Sequence, residues 1–222
     1  MISVAIDGPA GAGKSSLARA AAKELGFIYV DTGALYRTLG LKFLNTKTSV
    51  EDERSAVELL KSTEADIRFV DGEQHVFLDG EDVTALIRTP EVSMAASKSS
   101  ALPPVRAFLL EKQRELARKN NVLMDGRDIG TVVLPDATVK IFLTASAEER
   151  ARRRYLELTE KGQAVEYQDV YEDMVKRDYD DSHRAIAPLK PAEDSVTVDT
   201  TGLAIEQSLE LLLNTIRERM SK

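Results

Sequence analysis

The sequence predicts an α/β fold in which a mainly parallel, doubly wound sheet is enclosed by helices. Three observations support this prediction. Short apolar runs typical of buried strands recur along the chain, amphipathic helical patterns separate them, and a glycine-rich turn joins the first run to the first helix. The five runs are residues 2–7, 27–30, 122–124, 139–143 and 196–198.

The helices are predicted from apolar residues that recur at spacings of three and four. In the third of them, Val57, Leu59 and Leu60 form the predicted apolar side. Ser146, followed three residues later by Glu149, predicts a capping box at the start of a later helix. The predicted helices span residues 16–25, 34–44, 51–63, 90–100, 105–119, a segment that begins at Ser146, and 205–220.

The segment between residues 63 and 100 has a different pattern. Two short strand-like runs, 66–70 and 75–78, are followed by Asp71-Gly72 and Asp79-Gly80, dipeptides that favour tight hairpin turns. We therefore expect a small antiparallel sheet in a subdomain over residues 63–100, inserted into a single domain of residues 1–222. A break is predicted at Pro103-Pro104, before the helix over residues 105–119.

The composition excludes several classes of protein. The chain has 222 residues, no cysteine and two histidines, which argues against a disulfide framework, a thiolate metal site and most zinc centres. Its 30 basic and 37 acidic residues give a net charge of -7, which argues against a broad nucleic-acid-binding surface. With no long apolar run and no signal-peptide core, the sequence predicts a cytoplasmic protein without a membrane anchor.

A phosphate-binding loop lies between the first predicted strand and the first predicted helix. Residues 8–15 match the P-loop pattern G-x-x-x-x-G-K-[ST] without a gap. In this pattern, backbone N–H groups and a helix N-terminus face the phosphates, Lys14 reaches the β- and γ-phosphates, and the Ser15 hydroxyl is a ligand for Mg²⁺. The predicted ATP-binding residues are Gly8, Pro9, Ala10, Gly11, Ala12, Gly13, Lys14, Ser15 and Ser16.

A P-loop alone leaves several classes of nucleotide-binding protein open. The sequence has no N-K-x-D segment for guanine selection and no L-S-G-G-Q segment of a transporter ATPase, and it is short for a helicase. Two classes remain: a small-molecule kinase, and a nucleotide-dependent switch that hydrolyses slowly. A kinase needs a second cationic site for its acceptor, and the arginines of the C-terminal third are candidates.

An arginine cluster follows Ser146 and has two interpretations. Arg150, Arg153 and Arg154 could form the catalytic face of a lid, over residues 146–184, that closes on the transferring phosphates. Alternatively, Glu149 and Arg153 are an i,i+4 ion pair on a solvated helix. The sequence favours the lid.

Beyond the P-loop, several motifs are specific in combination. They are Asp31-Thr32-Gly33-Ala34-Leu35-Tyr36-Arg37, Asp125-Gly126-Arg127-Asp128, Ser146-Ala147-Glu148-Glu149-Arg150 and Arg184-Ala185-Ile186-Ala187-Pro188-Leu189. Together with the P-loop, they make the sequence resemble bacterial cytidylate kinases, which are nucleoside monophosphate kinases, along essentially its whole length. The resemblance implies a three-layer P-loop fold with a five-stranded parallel sheet, an inserted monophosphate-binding subdomain and a helical lid. It also implies a monomer that transfers phosphate from ATP, with Mg²⁺, to CMP and dCMP in pyrimidine metabolism.

The resemblance also implies roles for residues at matching positions. Arg37 and Arg127 match phosphate contacts, and Arg127 would also act in catalysis with Lys14. Thr32 matches the hydroxyl that meets the cytosine amino group, at a position where many relatives have serine. The remaining substrate-binding residues are the base-reading pair Arg106 and Asp128, and Ser97, Arg177, Asp181 and Arg184 around the acceptor's ribose and phosphate.

The chemistry of cytosine is consistent with the base-reading pair. Cytosine carries an amino donor where uracil carries a carbonyl acceptor, so a carboxylate such as Asp128 would select cytosine, and Arg106 would donate to its acceptors. From the residues alone, Asp128 could equally cap a loop and Arg37 could be a solvated surface charge. Acceptors such as UMP, dTMP or shikimate also remain open. Asp125 is expected to orient metal-bound water.

Overall fold

The computed structural model describes residues 1–70 and 72–221. They divide into a smaller unit, Val30–Asn120 with Met1, and a larger unit, Ile2–Tyr29 with the chain from Asn121 onward. The strands are β1 (Ser3–Asp7), β2 (Ile28–Asp31), β3 (Ala65–Val70), β4 (Glu73–Leu78), β5 (Glu81–Asp82), β6 (Val122–Gly126), β7 (Val139–Thr144) and β8 (Val196–Asp199). The helices are α1 (Lys14–Leu25), α2 (Thr32–Asn45), α3 (Glu53–Lys61), α4 (Pro90–Ser99), α5 (Pro103–Lys119), α6 (Ala147–Glu160), α7 (Tyr167–His183) and α8 (Ile205–Met220).

A five-stranded sheet has the order β2-β6-β1-β7-β8, and the larger unit contains four of its strands whole together with the first two residues of β2. β1 pairs in parallel with both β6 and β7, and β8 pairs in parallel with β7. Apolar residues of these strands form a core with helices α1 and α8, including Leu17 and Leu212. The predicted parallel sheet is therefore confirmed, and its strand register sets Asp7 beside Gly126 at the carboxyl edge.

The smaller unit contains the predicted antiparallel sheet. Its strands lie in the order β3-β4-β5, with Ala65 opposite Leu78 and Val70 opposite Glu73. Asp79 and Gly80 both have positive φ, 51° and 88°, as the hairpin turn predicted there requires. The other predicted turn includes Asp71, which lies outside the described residues. The predicted boundaries of the inserted subdomain and the lid remain predictions.

Most helix boundaries differ from the sequence prediction by one or two residues, and two of these differences have a clear physical cause. α1 begins at Lys14, two residues earlier than predicted, because the last P-loop residues already have helical geometry. The predicted break between α4 and α5 is present, but it lies at residues 100–102 rather than at Pro103-Pro104, because these two prolines open α5. Proline is favoured in the first turn of a helix, where a backbone N–H has no intrahelical partner.

The predicted apolar side of α3 is confirmed at Leu60, which is buried, and Leu59 is partly buried, but the prediction is wrong at Val57. Val57 is 40% exposed, whereas Ala56 and Leu60 are buried. A nine-residue helix offers too few turns for the sequence pattern to distinguish adjacent faces, and packing decides which face is buried.

Two elements of the larger unit were not predicted. One is a π-helical turn, Ile129–Val133, and the other is helix α7, which lies within the predicted lid region. π-Helical turns occur frequently at functional sites. Among residues 1–70 and 72–221, no helix has the length and apolar character that a membrane span requires.

Candidate active site

The P-loop connects β1 to α1 at the carboxyl edge of the sheet. Gly8 packs so closely on β7 that a Cβ atom there would lie 2.0 Å from the carbonyl oxygen of Leu143, so only glycine fits. Gly13 has a left-handed conformation, with φ of 82°, immediately before α1. The loop therefore has the strand-to-helix geometry that its sequence predicts, with the N-terminus of α1 available to an anion.

Lys14 is buried although it carries an amino group. It is 6% exposed, and its Nζ donates to the carbonyl oxygen of Pro9 at 2.6 Å. Burial lowers the pKa of Lys14 well below its usual value, and the positive charge of Arg127 lowers it further, while Asp125 and Asp7 oppose this shift. A phosphate anion beside Nζ would favour the charged form of this lysine.

The Asp125 carboxylate lies beside the first turn of α1. Ser15 Oγ donates to Asp125 Oδ2 at 2.9 Å, and the hydroxyl of Tyr29 donates to Asp125 Oδ1 at 2.9 Å. A hydroxyl and a carboxylate are oxygen donors of the kind that Mg²⁺ prefers, and nucleotide phosphates usually supply further oxygens. The residues present therefore fit a magnesium ion at Ser15.

Asp7, at the end of β1, holds the loop that follows β6. Its two carboxylate oxygens accept the backbone N–H groups of Ile129 and Gly130, both at 2.7 Å. These residues begin the π-helical turn directly after Asp128. Burial raises the pKa of Asp7 to about 6, the two N–H groups oppose this shift, and the nearby charge of Asp128 adds to it.

Arg150 supports the P-loop from helix α6. It is buried, its Nε donates to the Ala145 carbonyl at 2.8 Å, and its Nη1 donates to the Ala10 carbonyl at 2.9 Å. Its Nη2 lies 2.6 Å from Asp178 Oδ2 on α7. With all three nitrogens engaged, the geometry favours a role for Arg150 in holding the P-loop and the two helices together.

The other two arginines predicted for the lid differ from each other. Arg153 bonds to Glu149 at 2.9 Å and to the carbonyl of Thr200 at 2.8 Å, so the predicted i,i+4 pair is present. Its Nη1 nevertheless lies close to Gly13, since a Cβ atom on that glycine would be 3.9 Å away. Arg154 is 42% exposed and pairs with Glu157 at 2.7 Å. The geometry thus places Arg153, but not Arg154, beside the P-loop.

A network of opposite charges joins α7 to the loop after β6. Arg127 Nε donates to Asp181 Oδ2 at 2.7 Å, and Arg184 Nη2 lies 3.5 Å from Asp128 Oδ1. Burial alone would raise the pKa of Asp181, but Arg127, Arg177 and Arg184 hold it below its usual value. The structure therefore brings these five predicted substrate-binding residues into one charged cluster in the larger unit.

In the smaller unit, Arg37 folds back onto the first turn of its own helix. Its Nη2 donates to Asp31 Oδ2 at 2.8 Å, and Asp31 also caps α2 by accepting from the Ala34 N–H at 3.0 Å. A Cβ atom on Gly33 would lie only 3.1 Å from Arg37 Nη1, so glycine leaves room for the guanidinium. Arg37 is therefore held at a helix N-terminus, beside the buried Thr32, and is not a solvated surface charge.

Arg106 and Ser97 also belong to the smaller unit. Arg106 is buried, its guanidinium lies 5.7 Å from the ring centroid of Tyr36, and its Nη1 donates to the Ser100 carbonyl at 3.4 Å. Ser97 is exposed on α4. A buried arginine on an aromatic ring is preorganised for a planar partner, which is consistent with its predicted role in base reading.

Comparison with known proteins supports one family over nearly the whole chain. A family profile described as cytidylate kinase matches residues 4–218. The chain belongs to the cytidylate kinase family. It is 54% identical over 212 residues to a cytidylate kinase of Caldicellulosiruptor bescii, covering 96% of this chain and 94% of that protein. It is 55% identical over 215 residues to that of Carboxydothermus hydrogenoformans, covering 96% of each.

Solved structures share the fold at low sequence identity. An uncharacterized protein from Eubacterium ventriosum superposes with a TM-score of 0.56 at 11% identity, covering 98% of this chain and 99% of that one. A gluconokinase from Sinorhizobium meliloti gives a TM-score of 0.50 at 13% identity, covering 99% and 94%. At these identities, the likeness concerns the fold alone.

Three residues that organise the site of this cytidylate kinase family member were not identified from the sequence. Tyr29 and Asp7 contact the site only because distant strands pair beside them, and no local spacing marks them. Asp31 is marked only as part of the Asp31-Thr32-Gly33 motif. An N-cap pattern before α2 is the one local signal that could have singled it out.

The Asp7→Asn substitution should change how the free energy of unfolding depends on pH. Because the native pKa of Asp7 is about 6 and the ordinary value for an aspartate is 3.8, the native state binds this proton more tightly than the unfolded chain does. Below pH 3.8, this tighter binding stabilises the native state by about 3 kcal/mol. The stabilisation is lost as pH rises through the native pKa of about 6.

Urea unfolding at several pH values measures this effect. The free energy of unfolding of the wild type, minus that of Asp7→Asn, should decrease by about 3 kcal/mol from about pH 4 to about pH 7. A difference that stays constant over this range would contradict the raised pKa.

Proposed function

We propose that this chain transfers the γ-phosphate of ATP to CMP, and also to dCMP, giving ADP and CDP or dCDP. The observation that carries this proposal is the match to the cytidylate kinase family over residues 4–218, which includes the P-loop and every substrate-binding residue named above. The reaction belongs to pyrimidine nucleotide metabolism.

The P-loop and its surroundings would bind the donor. Backbone N–H groups of residues 10–16 are suited to the phosphates of ATP, and so is Lys14, whose charged form a bound phosphate would favour. Ser15 would hold Mg²⁺, and Asp125, bonded to Ser15 and Tyr29, would orient water bound to the ion. Mg²⁺ bound there would neutralise charge on the phosphate oxygens.

The smaller unit would contribute Arg37 to the acceptor phosphate, Thr32 and Arg106 to the base, and Ser97 to the ribose. The support for Arg37 is its position at the N-terminus of α2, because that helix end already favours an anion. The support for Arg106 is its burial against Tyr36, which restricts its rotamers. A side chain that is ordered before binding loses less entropy when the substrate arrives.

The larger unit would contribute Arg127, Arg177 and Arg184 to the acceptor phosphate, Asp181 to the ribose and Asp128 to the base. The Arg127–Asp181 pair, at 2.7 Å, supports this assignment because it fixes a cation and a ribose-binding carboxylate relative to each other. Asp128 carries a buried carboxylate, which can accept a hydrogen bond from cytosine's amino group but not from uracil's carbonyl.

Transfer would proceed by positioning and charge neutralisation. The acceptor phosphate is already an oxyanion, so no general base is needed, and a loose transition state asks little covalent chemistry of the protein. Lys14 and Arg153 would stabilise the transferring phosphoryl group, while Arg150 would keep the P-loop backbone in place. Closure of the region over residues 146–184 would exclude water and limit hydrolysis of ATP.

We propose that the protein acts in the cytoplasm as a monomer and without nucleic acid. The absence of cysteine is usual in a reducing compartment but not specific to it, and the net charge of -7 disfavours binding to nucleic acid. The proposal that the protein is a monomer rests on its resemblance to the family.

An acceptor panel tests the proposed function. With ATP and Mg²⁺, ADP release should be stimulated strongly by CMP and dCMP, and far less by UMP, dTMP or shikimate. If UMP or shikimate stimulated ADP release most, the acceptor assignment would be wrong. If no acceptor stimulated release and a protein partner bound in only one nucleotide state, the chain would instead be a switch.

A further inference from the structure

A carboxylate in the smaller unit holds two arginines, of which only one has an assigned role. Asp31 Oδ2 lies 2.8 Å from Nη2 of Arg37 and 3.7 Å from Nη2 of Arg88. Arg88 lies between the antiparallel sheet and α4, about fifty residues from Arg37 along the chain. The fold therefore brings two guanidinium groups together at the N-terminus of α2.

The backbone of Asp31 is fixed by the antiparallel sheet. Its N–H donates to Gln74 Oε1 at 2.8 Å, and its carbonyl accepts from Gln74 Nε2 at 3.2 Å. Asp31 itself is buried, and its other carboxylate oxygen caps α2. The Asp31 carboxylate is thus held in place, and it can orient the guanidinium groups of Arg37 and Arg88.

The cluster carries more positive charge than one carboxylate can neutralise. Two guanidinium groups face one carboxylate, which leaves a net charge of about +1 beside a helix N-terminus. In addition, Arg37 Nε is buried and has no hydrogen-bond partner among residues 1–70 and 72–221. A buried donor without a partner is costly, and an anion bound here would satisfy both the donor and the charge.

The two arginines are attached to Asp31 with unequal strength. The Arg37 contact is a direct hydrogen bond, whereas the Arg88 side chain is 59% exposed and its contact is long. Exposed pairs of this kind contribute little to stability. An incoming phosphate dianion, which binds guanidinium groups in a bidentate manner, could therefore draw Arg88 from Asp31 at little cost.

We propose that Arg88 is a second ligand of the acceptor phosphate, held near its working position by Asp31, and that Asp31 and Gln74 are positioning residues for Arg37 and Arg88. This inference rests on the proposed function, because it takes the anion to be the phosphate of CMP. Strand β4 thereby has a role in binding, because its Gln74 fixes Asp31, and Asp31 in turn orients Arg88.

The test compares Arg88→Gln with Arg68→Gln, a matched control. Arg68 belongs to the same unit, is 51% exposed and has one long ion pair, 3.5 Å to Asp66. For each variant, calorimetry gives the Kd of CMP, and competition against CMP gives the inhibition constant of cytidine, which lacks the phosphate. Thermal unfolding reports whether the variants fold.

Arg88→Gln should weaken CMP binding about tenfold, as expected for one charge-assisted hydrogen bond, with the cytidine constant unchanged. Arg88→Lys should recover part of the loss, and Arg68→Gln should resemble the wild type. Equal CMP binding by Arg88→Gln and wild type, or equal losses for CMP and cytidine, would overturn the role of Arg88 alone. Failure of the folded wild type to bind CMP would overturn the proposed function, and this inference with it.

Discussion

Replacement of Lys14 by methionine should reduce turnover on the order of 10³-fold, the loss expected when one preorganised donor to transition-state charge is removed. Lys14 is buried with its Nζ beside the P-loop backbone, 2.6 Å from the Pro9 carbonyl oxygen, where it would reach the donor phosphates. Methionine retains most of the apolar stem and removes the charge. Steady-state kinetics with saturating CMP and ATP measure the effect.

The same substitution should leave the fold intact. Because burial already disfavours the charged form of Lys14, its replacement by an apolar side chain removes a desolvated group and should not lower the unfolding temperature. Lys23→Met, at an exposed position of the same helix, is the control and should have wild-type turnover. Turnover of Lys14→Met within tenfold of wild type would contradict the role of this lysine.

Replacement of Asp128 by asparagine should reduce the preference for CMP over UMP about a hundredfold. The carboxylate is only an acceptor, so it opposes the O4 carbonyl of uracil, whereas an asparagine amide can rotate to donate to O4 or to accept from the cytosine amino group. The substitution preserves side-chain volume at a buried position. The ratio of kcat/KM for the two acceptors measures the effect.

The Michaelis constant for ATP distinguishes a loss of base recognition from general damage to the enzyme. It should change little in Asp128→Asn, because the residue is proposed to contact only the acceptor. Asp136→Asn, at an exposed position of the loop between β6 and β7, should retain the wild-type preference. An unchanged ratio of CMP to UMP in Asp128→Asn would refute the base-reading role.

Features with a strong local cause could be predicted from the sequence. The P-loop requires glycine where the chain approaches β7 and where φ is positive, so its pattern specifies its shape. The Asp79-Gly80 turn follows from two residues that tolerate positive φ. Helix α8 has the predicted bounds, 205–220, because its amphipathic pattern extends over four turns.

Features that depend on distant partners could not be predicted in the same way. Asp7 accepts hydrogen bonds from two backbone N–H groups, and the residues that donate them lie more than 120 positions away in the sequence. The partners of the arginine cluster could not be predicted for a similar reason, and its role as one catalytic face stays a prediction. Arg150 is engaged by Ala10 and Asp178, whereas Arg154 pairs with Glu157, and spacing along a helix does not reveal which neighbours each side chain meets.

The choice of cytidine monophosphate illustrates the limit of local chemistry. Asp128 and Arg106 could each have had a purely structural role, and only the resemblance to one family indicated base recognition. The structure adds that Asp128 is buried beside Arg184 and that Arg106 packs on Tyr36. Burial and charge pairing restrict both side chains, which is consistent with recognition of a planar base.

The most direct test of the function is to follow the γ-phosphate of labelled ATP in the presence of CMP and Mg²⁺. The label should appear in CDP, with one ADP formed for each CDP, and Lys14→Met should lose this transfer. Release of the label as inorganic phosphate, with ADP formed at the same rate whether or not CMP is present, would contradict phosphoryl transfer to CMP as the function of this chain.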